Sequence, residues 1–332
     1  MKRYGKLMGN ILDYENLLIA FHNAAKGKTD RKDVIQFRTK LSENLLTLRT
    51  KIDTDTMVFG RYSFFTVHDP KTRNICAAAF KERVTHHAMM NVCGPILDQS
   101  QIFHSYACRK GKGQHKALLK AKKWADCHDF YLKMDISKFF DSIDHSILKQ
   151  MLCSRIKDKK VLGVLFDIID SYTTAEGKGL PLGNLTSQYF ANFYLTRFDH
   201  WIKQEKKVRF YLRYMDDMLI IGNKNMLCKL RDDTRHYLNR NLKLQLKHGG
   251  QINRTDKGIG FLGSVIYPGA LKLSSSSKKR IYDRMKQYER KYRSGTMDAL
   301  DLQERATALW AGLYHTKSYG WRKTLAVKCM DI

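Results

Sequence analysis

Arg209-Phe210-Tyr211-Leu212-Arg213-Tyr214-Met215-Asp216-Asp217-Met218-Leu219-Ile220-Ile221 sets two adjacent carboxylates between two strand-like runs, Arg209 to Arg213 and Met218 to Ile221. The pattern predicts a hairpin with a tight turn that carries the acids. Burying acidic side chains is costly unless something positive neutralises them. Hard oxygen donors suit Mg²⁺, with Mn²⁺ as a substitute. A third carboxylate, Asp135, ends another strand-like run, Tyr131-Leu132-Lys133-Met134-Asp135. Three aspartates on the ends of adjacent strands can hold two metal ions for an in-line displacement at phosphorus. The alternative is a surface turn in which Asp-Asp is merely solvated.

Composition agrees with a polyanionic partner. The chain has 332 residues, 60 Lys plus Arg against 32 Asp plus Glu, and a formal net charge of +28. Such a charge self-repels unless a polyanion is bound, and nucleic acid is the natural one. No apolar run approaches the ~18 residues of a spanning helix, no basic amphipathic anchor stands out, and Met1 to Asn10 lack a signal-peptide core. Membrane binding and secretion are therefore not expected. Seven cysteines are scattered singly with no C-x-x-C, which fits a reduced, intracellular chain without structural zinc.

Length suggests about two domains. The first fifty residues read as helical, with Val34, Phe37, Leu41, Leu45 and Leu48 on one face and Thr29 or Asp30 as cap. Tyr62 to Val67 and Thr72 to Phe80 read as strands joined by His68-Asp69-Pro70-Lys71. Glu82 to Asn91 reads as a helix that Gly94-Pro95 stops. Arg109-Lys110-Gly111-Lys112-Gly113 is a basic loop before a helix from Gln114 to Trp124. Asp144 caps a helix over His145 to Cys153, and another spans Lys160 to Tyr172. Leu185 to Gln204 reads as one long helix. Helix follows around Asn225 to Leu238, then strands at Leu242 to Leu246 and Gly258 to Tyr267. From Ser274 the pattern turns helical again: Ile281, Met285, Tyr288 and Tyr292 share a face, with eight basic residues between Lys278 and Arg293. Ser274 to Ser277 reads as a hinge.

Lys133-Met134-Asp135-Ile136-Ser137-Lys138-Phe139-Phe140-Asp141-Ser142-Ile143-Asp144-His145 resembles the first catalytic block of reverse transcriptases. Tyr-Met-Asp-Asp resembles the second, and Gly260-Phe261-Leu262-Gly263 the primer-grip turn. Leu182-Gly183-Asn184-Leu185-Thr186-Ser187-Gln188 is similar to the block found in reverse transcriptases of diversity-generating retroelements. Together the blocks cover about residues 60 to 270.

The resemblance implies an α+β right-hand polymerase fold: fingers within 1–125, palm over 126–272, helical thumb over 273–332. It implies error-prone, adenine-mutagenic synthesis of cDNA from a template RNA. Asp135 and Asp216 would bridge two metal ions, with the Ile136 carbonyl completing one site and Asp217 a weaker ligand. Lys71 and Arg73 would clamp the triphosphate; otherwise they are solvated hairpin charges. Phe140 would exclude a 2′-hydroxyl; otherwise it is core. Leu182 stands where many relatives place a glutamine against the nascent pair, so a polar check on geometry is missing; otherwise it packs a loop. Gln188 would contact the nucleotide. Arg109, Lys110 and Lys112 would track template or primer phosphate, or be solvated, and Phe261, Leu262 and Gly263 would hold the primer. Lys247 is the candidate proton donor to pyrophosphate, with Lys243 a near neighbour.

Implied partners are template RNA, primer or cDNA, dNTPs and a small basic helical helper, the accessory variability determinant. The implied setting is the cytoplasm of a bacterial, archaeal or phage-infected cell. Two other readings stand beside this one. The first is another bacterial reverse transcriptase of retron, intron or antiphage-defence type. Against it, the thumb has no Val-Thr-Gly, and about sixty residues after the primer grip leave no room for an intron-style extension. The second is a catalytically inactive RNA-binding scaffold, against which the intact aspartates argue.

Overall fold

The computed structural model describes residues 2–68 and 72–329. Two compact units interleave along the chain: Met1–Arg109, Asp135–Val208 and Asp233–Lys247 form one, while Lys110–Met134, Arg209–Asp232 and His248–Ile332 form the other. In chain order the first unit opens with α1 (Met8–Ile11), α2 (Tyr14–Ala25), α3 (Lys32–Thr39), α4 (Leu41–Asp53), the hairpin β1 (Tyr62–Val67) and β2 (Arg73–Ala78), and α5 (Phe80–Asp98). The second unit contributes α6 (Gln114–Ala125) and β3 (Phe130–Met134). The first resumes with α7 (Phe139–Ser142), α8 (His145–Cys153), α9 (Lys159–Asp170), α10 (Leu185–Tyr194) and α11 (Thr196–His200). Next come β4 (Tyr211–Tyr214), β5 (Asp217–Gly222) and α12 (Lys224–Leu242), which passes from the second unit into the first. The second unit then ends with β6 (Gln251–Arg254), β7 (Ile259–Phe261), β8 (Ser264–Tyr267), β9 (Ala270–Leu273), α13 (Ser275–Arg293), α14 (Ala299–Ala311) and α15 (Tyr319–Cys329). The class is α+β, as expected.

The four-stranded antiparallel sheet of the second unit runs β4-β5-β3-β6. Its two inner strands are largely apolar because they are covered: Leu132 and Met218 to Ile221 are fully buried, and Lys133 alone interrupts the run. Register pairs Met134 with Met218, so the end of β3 lies beside the start of β5. Two expectations fail here. Leu242 to Leu246 is no strand: Leu242 closes α12, and Leu246 makes a lone bridge to Ile136. The edge strand is instead Gln251–Arg254, too polar and exposed to show alternation. Gly258 to Tyr267 splits into β7 and β8, because Leu262 and Gly263 both adopt positive φ (46° and 74°), the conformation of a two-residue hairpin loop.

The terminal helices enclose their own core of Ile281, Met285, Ala306, Leu313 and Leu325. The serine run read as a hinge begins α13. Ser274 Oγ accepts from Ser277 N–H, and Ser277 Oγ donates to the Gly263 carbonyl at 2.7 Å.

In the first unit α5 runs through Pro95 rather than stopping before it. A proline inside a helix costs about 3 kcal/mol. Val84, Ala88, Met89, Cys93 and Leu97 are fully buried along this helix, and that packing outweighs the lost hydrogen bond. Gly94 is required there, since a Cβ would lie 2.9 Å from the Tyr189 ring. The long helix expected over 185–204 is broken at Leu195. There the Thr196 hydroxyl bonds the Phe193 carbonyl at 2.6 Å, and a π-helical turn over Trp201–Glu205 ends the segment. α3 and α4 are separate because Lys40 is non-helical, and Arg31, not Thr29 or Asp30, stands at the N-cap of α3 and makes no side-chain cap bond. Asp144 and Asp158 cap α8 and α9 through Ile147 and Val161 N–H.

Candidate active site

Tyr214 and Asp217 are the last pair of the β4–β5 ladder, so Met215-Asp216 forms the two-residue turn. Met215 sits at φ 57°, a conformation that costs a non-glycine residue about 1–2 kcal/mol. Arg213 lies directly behind it. Its side chain is fully buried, and its Nη1 donates to the Met215 carbonyl at 3.0 Å. This residue escaped the sequence reading. The signal was a single charge in an otherwise apolar strand, three residues before Asp216.

Asp217 keeps 34 % of its side chain exposed, with Lys133 Nζ 4.0 Å from its Oδ1. Lys133, also missed, donates to the Gly260 carbonyl at 2.8 Å. Asp135 follows directly on β3. Its carbonyl accepts from Lys247 N–H at 2.8 Å, and Ser137 N–H bonds the Gln245 carbonyl, so this bridge does not use the Ile136 carbonyl. Lys247 Nζ stands 4.0 Å from Asp135 Oδ2. Lys243 is engaged elsewhere, 2.7 Å from Asp144 Oδ2. Burial pushes the Asp144 carboxyl up, but Lys243 and the Ile147 N–H outweigh it and hold the group below the ordinary carboxylate range.

Among the described residues no three His, Cys, Asp or Glu side chains gather closely enough to hold a metal ion. The donor chemistry nevertheless fits a hard cation. Asp135 and Asp217 present partly exposed carboxylates, and the neighbouring ammoniums stand beyond direct hydrogen-bond distance.

Phe140 is half-buried, whereas Phe139 beside it is buried at 3 %. Leu182 is half-buried, and its carbonyl accepts from Cys76 N–H on β2 at 2.8 Å. Gln188 Oε1 accepts from the Cys108 thiol at 3.3 Å. Arg73 is exposed at the start of β2. Lys71 lies outside the described residues.

Residues 68–254 match the family described as reverse transcriptase (RNA-dependent DNA polymerase), more than half of the chain. The chain belongs to the reverse transcriptase family. Protein YkfC of Escherichia coli (strain K12) is 24% identical to it over 238 residues, 58% of this chain and 62% of YkfC. The COX1/OXI3 intron 2 protein of Saccharomyces cerevisiae is 20% identical over 279 residues, 64% of this chain and 33% of that protein. The chain therefore spans less than two thirds of the length of these curated relatives. The structure of apo telomerase from Candida tropicalis superposes with a TM-score of 0.51 at 14% identity, covering 76% of this chain and 57% of that one. That likeness supports the right-hand polymerase fold of the chain.

Two of the residues assigned to template or primer are placed otherwise. Arg109 is not a loop charge. Its guanidinium bonds Asp98 at 2.6 and 3.1 Å and the carbonyls of Ile102 and Ser105, with only 10 % of the side chain exposed. Its fork is spent on holding the chain before the loop, and Lys110 is the exposed charge. Lys112 is half-buried. Phe261 is 1% exposed and packs the core. The outward part of that turn is Gly263, beside half-buried Leu262, whose carbonyl accepts from Gln114 Nε2 at 2.7 Å.

Proposed function

We propose that this reverse transcriptase is an active RNA-directed DNA polymerase of the error-prone kind that diversity-generating retroelements use. The observation that carries the polymerase reading is the Asp216-Asp217 turn on β4–β5 beside the end of β3, the strand that leads into Asp135. Asp135, Asp216 and the Ile136 carbonyl would hold the cations, and Asp217, with Lys133 4.0 Å away, would be the weaker ligand. Bound Mg²⁺, or Mn²⁺ in its place, would neutralise phosphate charge and sharpen the primer 3′-hydroxyl. Arg73 and Lys71 attract the triphosphate of the incoming dNTP. Phe140 fills the space a 2′-hydroxyl needs. Lys247, beside Asp135, holds a proton for the leaving pyrophosphate. Residues 1–125, 126–272 and 273–332 serve as fingers, palm and thumb around template RNA and cDNA, in the cytoplasm of the host cell. The excess positive charge suits RNA shared with an accessory variability determinant.

Leu182 supports the error-prone reading: an aliphatic side chain beside the nascent pair cannot hydrogen-bond, which lowers discrimination about ten- to a hundredfold. The likeness to YkfC and to an intron protein favours a second reading, an ordinary bacterial reverse transcriptase.

One primer-extension assay on a defined RNA tests both. Asp216→Asn should keep the fold and lose extension by several orders of magnitude; near wild-type activity would overturn the polymerase assignment. The same assay with ribonucleotides reads Phe140, whose replacement by alanine should admit them; unchanged rNTP use would return it to the core. Sequencing of wild-type cDNA separates the subfamilies. Errors concentrated opposite template adenine are expected, and uniformly low error at all four bases would favour the ordinary enzyme.

A further inference from the structure

The hairpin β1–β2 has an open edge on the outer side of β2. Ala79 N–H turns inward to the Arg61 carbonyl, so Ala78 and Cys76, one and three residues earlier, turn their N–H groups outward. Both outward groups are taken by a single loop. Cys76 N–H donates to the Leu182 carbonyl at 2.8 Å, and Ala78 N–H donates to Asn184 Oδ1 at 3.2 Å. Between them Gly183 sits at φ 119°, where a Cβ would come within 2.7 Å of Ile75 Cγ2 and 3.1 Å of the Cys76 carbonyl. Only glycine allows the loop to lie this close to the strand.

Asn184 is 3% exposed, and its Nδ2 has no hydrogen-bond partner among the described residues. The amide is held by its oxygen alone, since a flipped amide would set a donor against the Ala78 donor. Leaving a buried donor unsatisfied is costly, and proteins retain such groups where something else depends on them.

Arg73 stands three residues before Cys76 on the same strand, and Leu182 hangs from Cys76. We propose that Gly183 and Asn184 are positioning residues that stitch the Leu182 loop to the edge of β2, so that Arg73 and Leu182 meet the incoming nucleotide as one assembly. The nucleotide contact rests on the polymerase reading above; the stitch itself does not. It predicts that the two side chains influence discrimination jointly, and only while the stitch is intact.

Two measurements test this. The first is amide hydrogen exchange, which needs no catalysis. Asn184→Ala should lower protection at Ala78 at least about tenfold and loosen Cys76 as well. Asn184→Asp should retain it, because a carboxylate still accepts from Ala78 and sits favourably at the start of α10. Unchanged protection at Ala78 in Asn184→Ala would overturn the stitch.

The second is a double-mutant cycle on misincorporation opposite adenine, using Arg73→Ala and Leu182→Gln. Their combined effect should depart from the product of the single effects by about fivefold or more. In the Asn184→Ala background the departure should shrink below about twofold, and in Asn184→Asp it should persist. Independent effects in the wild type, or equal coupling in Asn184→Ala, would overturn joint action. A wild-type protein that makes no cDNA would sink the polymerase reading, while the exchange experiment would still decide the stitch.

Discussion

Arg213 shows how much one side chain can govern at the residue scale. A guanidinium withdrawn from water must be bonded, and here it bonds the carbonyl that immediately precedes Asp216. That bond fixes the peptide plane between Met215 and Asp216 and offsets the strain of Met215 at φ 57°. Lysine cannot reproduce a planar fork in a closed space. Arg213→Lys is therefore expected to cost about a hundredfold in kcat, the order that a misplacement of about 1 Å produces, with KM for dNTP within about twofold. Met215→Gly relieves the left-handed strain and should restore part of the loss. Steady-state kinetics on variants with matched thermal melts would check this; near wild-type kcat in Arg213→Lys would reduce the residue to packing.

At the scale of elements, legibility followed burial. Strand β5 could be read because both faces are apolar, β3 because only Lys133 interrupts its apolar run, and β1 because a turn signal bounded it. The aspartate turn could be read because acids interrupt an apolar run. Strand β6 could not: Gln251–Arg254 gains its conformation from pairing with β3, and nothing in its side chains announces it. Pro95 misled because propensity is local while the burial that overrides it is not. The residues that hold the site in place, Arg213, Lys133, Gly183 and Asn184, act through backbone carbonyls and close approaches that leave no periodicity.

The same burial in α5 has a consequence for pH. His86 lies fully enclosed, stacked 6.0 Å from Phe59, with neither ring nitrogen bonded among the described residues. Burial, with His87 adding to it, lowers its pKa from 6.5 to about 3. Between those values the unfolded chain binds a proton that the folded chain refuses. Stability is then complete above about pH 6.5 and falls as pH drops toward 3. At pH 5 this group alone should cost about 2 kcal/mol, a few degrees in Tm. His86→Phe removes the titration while keeping an aromatic ring against Phe59. Its Tm should fall less than that of the wild type between pH 7 and pH 5, and equal falls would show that other groups carry the acid sensitivity.

For the whole molecule the governing quantity is a net charge of +28. Charge of this size is tolerated when a cationic face neutralises the phosphates of a bound polyanion and releases the counterions condensed on it. Not every cation contributes equally. On α13 Glu289 takes Lys286 at 2.8 Å and Arg293 at 2.9 Å, which tethers those two to the helix surface. Lys278 lies 6.0 Å over the Trp321 ring, against the helical core. Lys279, Arg290 and Lys291 are exposed, and Arg280 is half-exposed. These four are the charges expected to meet phosphate. Each phosphate contact on a duplex contributes about 0.9 to the slope of log K against log salt, and somewhat less on a single strand. Replacing all four by glutamine should therefore flatten that slope by roughly two to four while leaving the Ile281–Met285 core and the thermal melt unchanged. The measurement is RNA–DNA binding across a salt series. A slope identical to wild type would assign these charges to solubility and move the nucleic-acid footprint to another basic face.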